Sequence, residues 1–283
     1  MRPAIAAFVL LTSFCCADQP AAIPSDAAAV SPAEKRGFLD AICPGHATAN
    51  GCAVCPAEMP QSAQTWDLRS IIFGHFLSAQ SDDALVAGTG CEDHAHLMSG
   101  AYLFTRKESG WHKSWYEPGA NADDCKKLTA ADGRDLLACE ASDMHQGIVD
   151  EFLYTMDPGE DPARQSDDGP LRLFLDVLDS LGSCAQLPDG TVRAGAIKSV
   201  SFTPDASGGV RIVIDTRLGK AAVPDQVLEK CDSGEKGPLE IETVPVRYEF
   251  RFDGRNIVPD PSNPLKDEFG GAAAPATTYR LAP

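Results

Sequence analysis

The stretch "VRYEFRFDG", from Val246 to Gly254, most constrains the fold. Val246, Tyr248, Phe250 and Phe252 alternate with Arg247, Glu249, Arg251 and Asp253. Successive side chains of a strand point to opposite faces, so this segment buries one face and wets the other, as in an antiparallel sheet. "VRIVIDTRL" and "KSVSFTPD" alternate in the same way, with the turn "DASGG" between them. "AYLFTRKESGWHKSWYEPG" reads as a hairpin turning at Glu108-Ser109-Gly110, and "CKKLTAADGRDLLACE" as another turning at Ala131-Asp132-Gly133.

From Ser70 onward the hairpins fall into three groups, about 71–116, 125–178 and 197–258. Each has room for four short strands in a meander. The expected fold is therefore mainly β, with antiparallel hairpin and meander groups, propeller-like or sandwich-like, in a single domain over 61–258. "GPLRLFLDVLDSLGSC" fits a helix about as well as a strand, and "VPDQVLEKC" suits one or two helical turns. The tail, 259–283, is rich in Pro, Gly and Ala and is expected to be irregular.

Before the hairpins, "SPAEKRGFLDAIC" predicts a helix. Ser31 serves as N-cap, Pro32 as N1 and Glu34 as the reciprocal partner of a capping box; Phe38, Leu39 and Ile42 share a face, and Pro44-Gly45 stops it. The loop "CPGHATANGCAVCP" that follows completes a segment over 31–60.

The first residues read as an export signal, 1–17: Arg2, an apolar run from Ala4 to Phe14, and small residues ending at Ala17. The run is shorter than the roughly 20 residues that span a bilayer. No later stretch is long and uncharged enough to span. A lipid anchor on Cys15 or Cys16 is the lesser reading, since Phe14 stands where that processing wants a small residue. An Ala/Pro-rich spacer, 18–30, follows. The expected location is secreted or periplasmic.

Removal of the leader would leave eight of the ten cysteines. An even count in an exported chain favours disulfides. Cys125 and Cys139 are symmetric about Asp132, which makes them cross-strand neighbours within bonding reach. Cys184 and Cys231 flank the third strand group, and a bond between them would tie its ends. Cys43, Cys52, Cys55 and Cys91 remain without a fixed pairing; the simplest arrangement closes the loop internally and uses one bond to Cys91. Cys52 and Cys55 form a CxxC, but no thioredoxin-like context surrounds it, Pro56 stands where haem attachment needs a histidine, and no second CxxC completes a zinc ribbon.

The formal net charge is −17, and no cluster of Lys and Arg offsets it. Such a surface repels polyphosphates and anionic lipid, so neither nucleic acid nor a membrane surface is an expected partner. A protein or envelope component remains.

"IIFGHFLSAQSDDALVAGTG" and "KKLTAADGRDLLACE" resemble the strand–acidic loop–strand core of FG-GAP/VCBS repeats, which build integrin-like β-propellers. The resemblance covers these two segments and rests on Phe73-Gly74, on Asp82 to Val86 and on Asp132 to Leu137. It implies a propeller-like arrangement. It does not carry calcium over, because "SAQSDD" and "AADGRD" lack the family's three alternating carboxylates. Three groups are also fewer than the four to eight blades of a typical closed propeller.

Candidate chemistry centres on "GCEDHAHLMSG". If it is extended, His94, His96 and Met98 share a face with Glu92 ahead of them. Two imidazoles with a thioether suit copper, and with a carboxylate suit zinc or copper(II). The alternative is a solvated loop after a bonded Cys91. No GxSxG, HExxH, Walker loop or GxGxxG is present. Asp82-Asp83, Asp123-Asp124 and Asp167-Asp168 are adjacent pairs whose members face opposite ways on a strand, and they read as turn decoration. Trp111 and Trp115, four apart, would share a strand face and, with Trp66, read as core.

The leading functional expectation is a secreted, non-catalytic binding or envelope-interaction module with no cofactor. Next stands a secreted metal-binding protein using His94, His96 and Met98, and third a hydrolase whose carboxylates come from separate strands, about 5–10 Å apart.

Overall fold

The computed structural model describes residues 30–59, 64–91, 100–120, 122, 124–160, 171–205, 208–234, 238–263 and 279–281. The leader, nearly all of the spacer, His94, His96, Met98, Asp123 and the Asp167-Asp168 pair lie outside these residues.

The chain is mainly β, in antiparallel meanders. A first sheet holds β1 (Gly51–Cys52), β2 (Trp66–Gly74), β3 (Asp83–Thr89), β4 (Gly100–Lys107) and β5 (Gly110–Pro118) in sequence order. A second holds β6 (Asp124–Thr129), β7 (Asp135–His145), β8 (Ile148–Met156) and β9 (Leu171–Asp179). In the third, β10 (Val192–Pro204), β11 (Val210–Ala221), β13 (Val244–Phe252) and β14 (Ile257–Pro259) lie side by side. Between β11 and β13 come a short helix, α2 (Asp225–Asp232), and β12 (Leu239–Ile241). The segment that fits helix or strand equally by pattern is β9, because β8 offers it a full ladder from Met156↔Leu171 to Val149↔Asp179. The tail is not wholly irregular: β15 (Tyr279–Leu281) pairs with β12.

The three sheets stack face to face. Ile72, Leu85 and Leu103 of the first pack with Leu137, Tyr154 and Met156 of the second. The opposite face of the second supplies Leu153, Leu175 and Val177 to a core completed by Ile212, Ile214, Tyr248 and Phe250 of the third. Tyr248, Phe250 and Phe252 of the alternating stretch are all buried. The outermost face of the third sheet is charged and solvated: Arg211 pairs with Glu249 at 2.5 Å and Arg247 with Asp215 at 2.7 Å.

The other end of the stack is apolar and capped. Helix α1 (Pro32–Ile42) lays Phe38, Leu39 and Ile42 on Ile71, Val86 and Phe104 of the first sheet. Burying each such side chain stabilises by roughly 1.5–3 kcal/mol. Ser31 Oγ accepts from Glu34 N at 3.2 Å, as a cap should. Glu34 does not return the bond expected of a capping box. Its carboxylate instead accepts from Trp111 Nε1 at 2.8 Å and pairs with Arg106 at 2.6 Å, pinning the helix to the sheet.

Four disulfides brace the stack. Cys43–Cys52 closes the loop after α1, and Cys55–Cys91 ties that loop to the end of β3. The members of the CxxC therefore have different partners. Cys125–Cys139 joins directly opposed residues of β6 and β7, with Cα atoms 4.0 Å apart. Cys184–Cys231 links the turn before β10 to α2. Since α2 sits inside the third strand group, this bond ties the start of that group to its middle rather than joining its ends.

Trp111 and Trp115 do not share a face. Pairing between β4 and β5 shifts by one residue between Leu103↔Trp115 and Phe104↔Lys113, leaving Ser114 as a bulge. One extra residue inverts every side chain beyond it. Trp111 consequently packs with α1, and Trp115 against the second sheet. Asp82-Asp83 also differs from turn decoration: Asp82 is exposed, but Asp83 is 1% exposed and holds the β2–β3 loop through Leu77 N at 2.8 Å.

Candidate binding cleft

In a meander alternate turns fall at the same end. The turns after β2, β4, β6, β8, β10 and β13 form one end, here called upper, and the connections after β3, β5, β7, β9 and β11 form the lower. Four upper turns interlock. Asp135 N donates to His75 O at 2.8 Å, and Ala131 N to Gly254 O at 2.7 Å. Gly159 passes so close to Phe76 that a Cβ there would lie 2.1 Å from its carbonyl oxygen, so only glycine fits.

Between these turns lies a cleft of about 570 Å³, lined by Ala131, Asp132, Arg134, Asp157, Arg172 and Arg255 among others. A smaller hollow of about 120 Å³ shares Asp157, Arg172 and Arg255 and adds Leu173, Phe174 and Asn256. The larger volume falls in the range of small-ligand sites.

Arg134 organises the cleft. Its guanidinium donates to Asp157 Oδ1 at 2.8 Å and Oδ2 at 3.2 Å, to Asp132 Oδ2 at 2.8 Å and to Phe76 O at 3.4 Å. One planar fork therefore fixes loops from two sheets, which a lysine could not do. The hydrogen bond to Asp157 holds the Arg134 proton more tightly than usual, and Arg134 in turn lowers the Asp132 carboxyl. Arg172 pairs with Glu160 Oε1 at 2.7 Å. Glu160 Oε2 is buried and meets no donor among the described residues. Arg255 lines both hollows from the β13–β14 turn, its side chain exposed and outside the described ion pairs. The cleft thus presents preset carboxylate–guanidinium pairs and, in Arg255, a cation outside the described ion pairs.

A third hollow, about 360 Å³, opens between the first and second sheets and is lined by His75, Asp82, Asp83, Arg106, Trp111, Lys127 and Asp135. Asp83 and Asp135 begin β3 and β7. Both are buried, and both accept from the β2–β3 loop, Asp135 Oδ2 from His75 N at 3.0 Å. They shape that loop.

His94, His96 and Met98 lie outside the described residues, so the geometry brings nothing to them. Among the described residues no three of His, Cys, Asp and Glu are grouped to hold a metal ion. Carboxylates from separate strands do meet at the lower end, where Asp150 of β8 hydrogen-bonds Asp176 of β9. The two are diagonal neighbours on adjacent strands, and neither lines the clefts described above.

The sequence carries a signal for Asp150, which stands in the apolar phase of β8 with Ile148, Phe152 and Tyr154, but none for Asp176, whose neighbours Leu175 and Val177 hold the apolar phase of β9. Arg172 and Arg255 gave none, because their convergence depends on which sheet faces which. Comparison of the chain with protein-family models, with the curated proteins and with solved structures finds no match in any of the three. The fold and the cleft therefore define a class, a disulfide-braced stack of β-meanders with a charged inter-sheet cleft.

Proposed function

We propose that this protein is an exported, non-catalytic binding module, acting in a secreted or periplasmic setting, whose recognition surface is the upper end of the stack. The observation that carries this reading is the cleft held open by Arg134, where carboxylates and guanidiniums are oriented before any ligand arrives. Preorganised polar groups spare a ligand the cost of ordering them. The open contact, Arg255, suits a polar partner with an anionic group. The expected leader over 1–17, four disulfides and the absence among described residues of a helix long and apolar enough to cross a membrane all support export. The two resembling segments furnish equivalent strand pairs of adjacent sheets, which supports a propeller-related ancestry.

The test compares immobilised protein with an Arg172→Ala/Arg255→Ala variant in envelope extract, read by quantitative mass spectrometry. A component retained by the parent and depleted about tenfold on the variant, with unchanged circular dichroism, is the expected result. Identical retained sets would move recognition away from the cleft.

A further inference from the structure

We infer that Asp150 and Asp176 hold one proton between them, and that its loss in alkaline medium loosens the lower end of the β8–β9 pair. The register places the two on one face. Asp150 stands opposite Leu178, and Phe152 opposite Asp176, so the acids are diagonal neighbours across adjacent strands. Oδ1 of each is buried and accepts from no described donor. Two carboxylates in hydrogen-bonding contact cannot both be ionised without strong repulsion, whereas one shared proton gives one of them a donor and the other an acceptor.

The surroundings provide no relief. Asp143 of β7 stands directly opposite Asp150, adding a third carboxylate to the face. His145 lies two residues further along β7 on the same face, exposed at the hairpin end. Glu117 of β5 pairs with Ala101, and Asp67 of β2 with Thr89, two residues beyond Ala87; Ala101 and Ala87 pack toward the second sheet, so acids also stand on that face of the first sheet. The charged group on this face of β6 is Lys127, at the far upper end, where its Nζ donates to Phe73 O at 2.9 Å. Burial first, then the bond to Asp176, then the charges of Asp176 and Asp143 push the Asp150 carboxyl up to about 8.

A folded pKa above the unfolded value of about 3.9 fixes the sign. The pair's contribution is complete below that unfolded value and is lost as pH rises through about 8. Deprotonation transfers the proton to solvent and leaves two adjacent anions on neighbouring strands. Asp179 caps Leu181 N at 2.9 Å, and Gly147 of the β7–β8 turn packs against the Gly182 backbone, so loosening there reaches the turn that carries Cys184.

The experiment is a carboxyl-carbon NMR titration of the disulfide-bonded protein, with urea midpoints at pH 6 and pH 9 for the parent and for Asp150→Asn, whose amide donates permanently to Asp176. One aspartate carboxyl of the parent is expected to titrate above pH 7, and this titration should vanish in the variant. The parent should lose about tenfold more of its folding equilibrium constant than the variant between the two pH values. All aspartates titrating below pH 5, or equal losses in both proteins, would overturn the proposal. Should Asp150→Asn fail to fold, the parent titration decides alone, and Asp176→Asn provides the mirror variant.

Discussion

At the upper end of the second sheet, Asp132 and Asp157 meet Arg134 and Glu160 meets Arg172; at the lower end, Asp150 meets Asp176 with Asp143 opposite it, and no described cation pairs with any of the three. The same functional group therefore titrates in opposite directions about one strand length apart. Arg134 lowers Asp132, so the upper end gains from ionisation and loosens as acid removes it. Burial and like charge raise Asp150, so the lower end gains from protonation and loosens in base. Composition alone, a chain of net charge −17, does not distinguish these cases. Company does.

The largest expected effect tests what holds the acid end together. Cys125–Cys139 lies one pair from Asp124↔Glu140, joining the lower end of β6 to the middle of β7. Replacing both with alanine should lower the unfolding free energy by about 3 kcal/mol, as a loop of this length implies. If the bond restrains acid repulsion, urea denaturation should show a greater loss at pH 8 than at pH 5. Equal losses would separate the bond from the electrostatics.

Arg134→Ala comes next. It leaves Asp157 and Asp132 without their common partner and frees three loops. We expect about 1–2 kcal/mol by the same assay, less than for a fully buried pair because water reaches the cleft. The loss should shrink on acidification below pH 4, as the carboxylates it served become neutral. A loss that grows in acid would contradict the upper half of the comparison.

Arg255→Ala should change stability by no more than about 0.5 kcal/mol, since its side chain is exposed and outside the described ion pairs. Its effect belongs to binding. A thermal shift of several degrees in the unliganded protein would mean that Arg255 is structural, and the cleft would lose its cation outside the described ion pairs.

How much of this was legible in the sequence follows from the range of the interactions. Period-two alternation with turn residues placed the three meanders within a few residues, because strand faces and tight turns are local properties. Symmetry about Asp132 led to the Cys125–Cys139 bond for the same reason. The bulge at Ser114 was not legible: nothing in "GWHKSWYEP" marks the extra residue, and it alone sends Trp111 and Trp115 into different cores. Asp83 is masked in the sequence by its neighbour Asp82, which makes the pair look like turn decoration, although the strand rule puts one of the two inside. The cleft was out of reach. Arg134, Asp157, Arg172 and Arg255 span 122 positions of the chain, counted as 255 − 134 + 1, and meet only through sheet stacking.

Residue-resolved hydrogen exchange between pH 2 and pH 9, corrected for intrinsic rates, tests the opposition of the two ends most directly. The account predicts that amides of residues 131–134 lose protection toward acid while those of 149–152 and 176–178 lose it toward base. Protection that rises and falls together at both ends would contradict it.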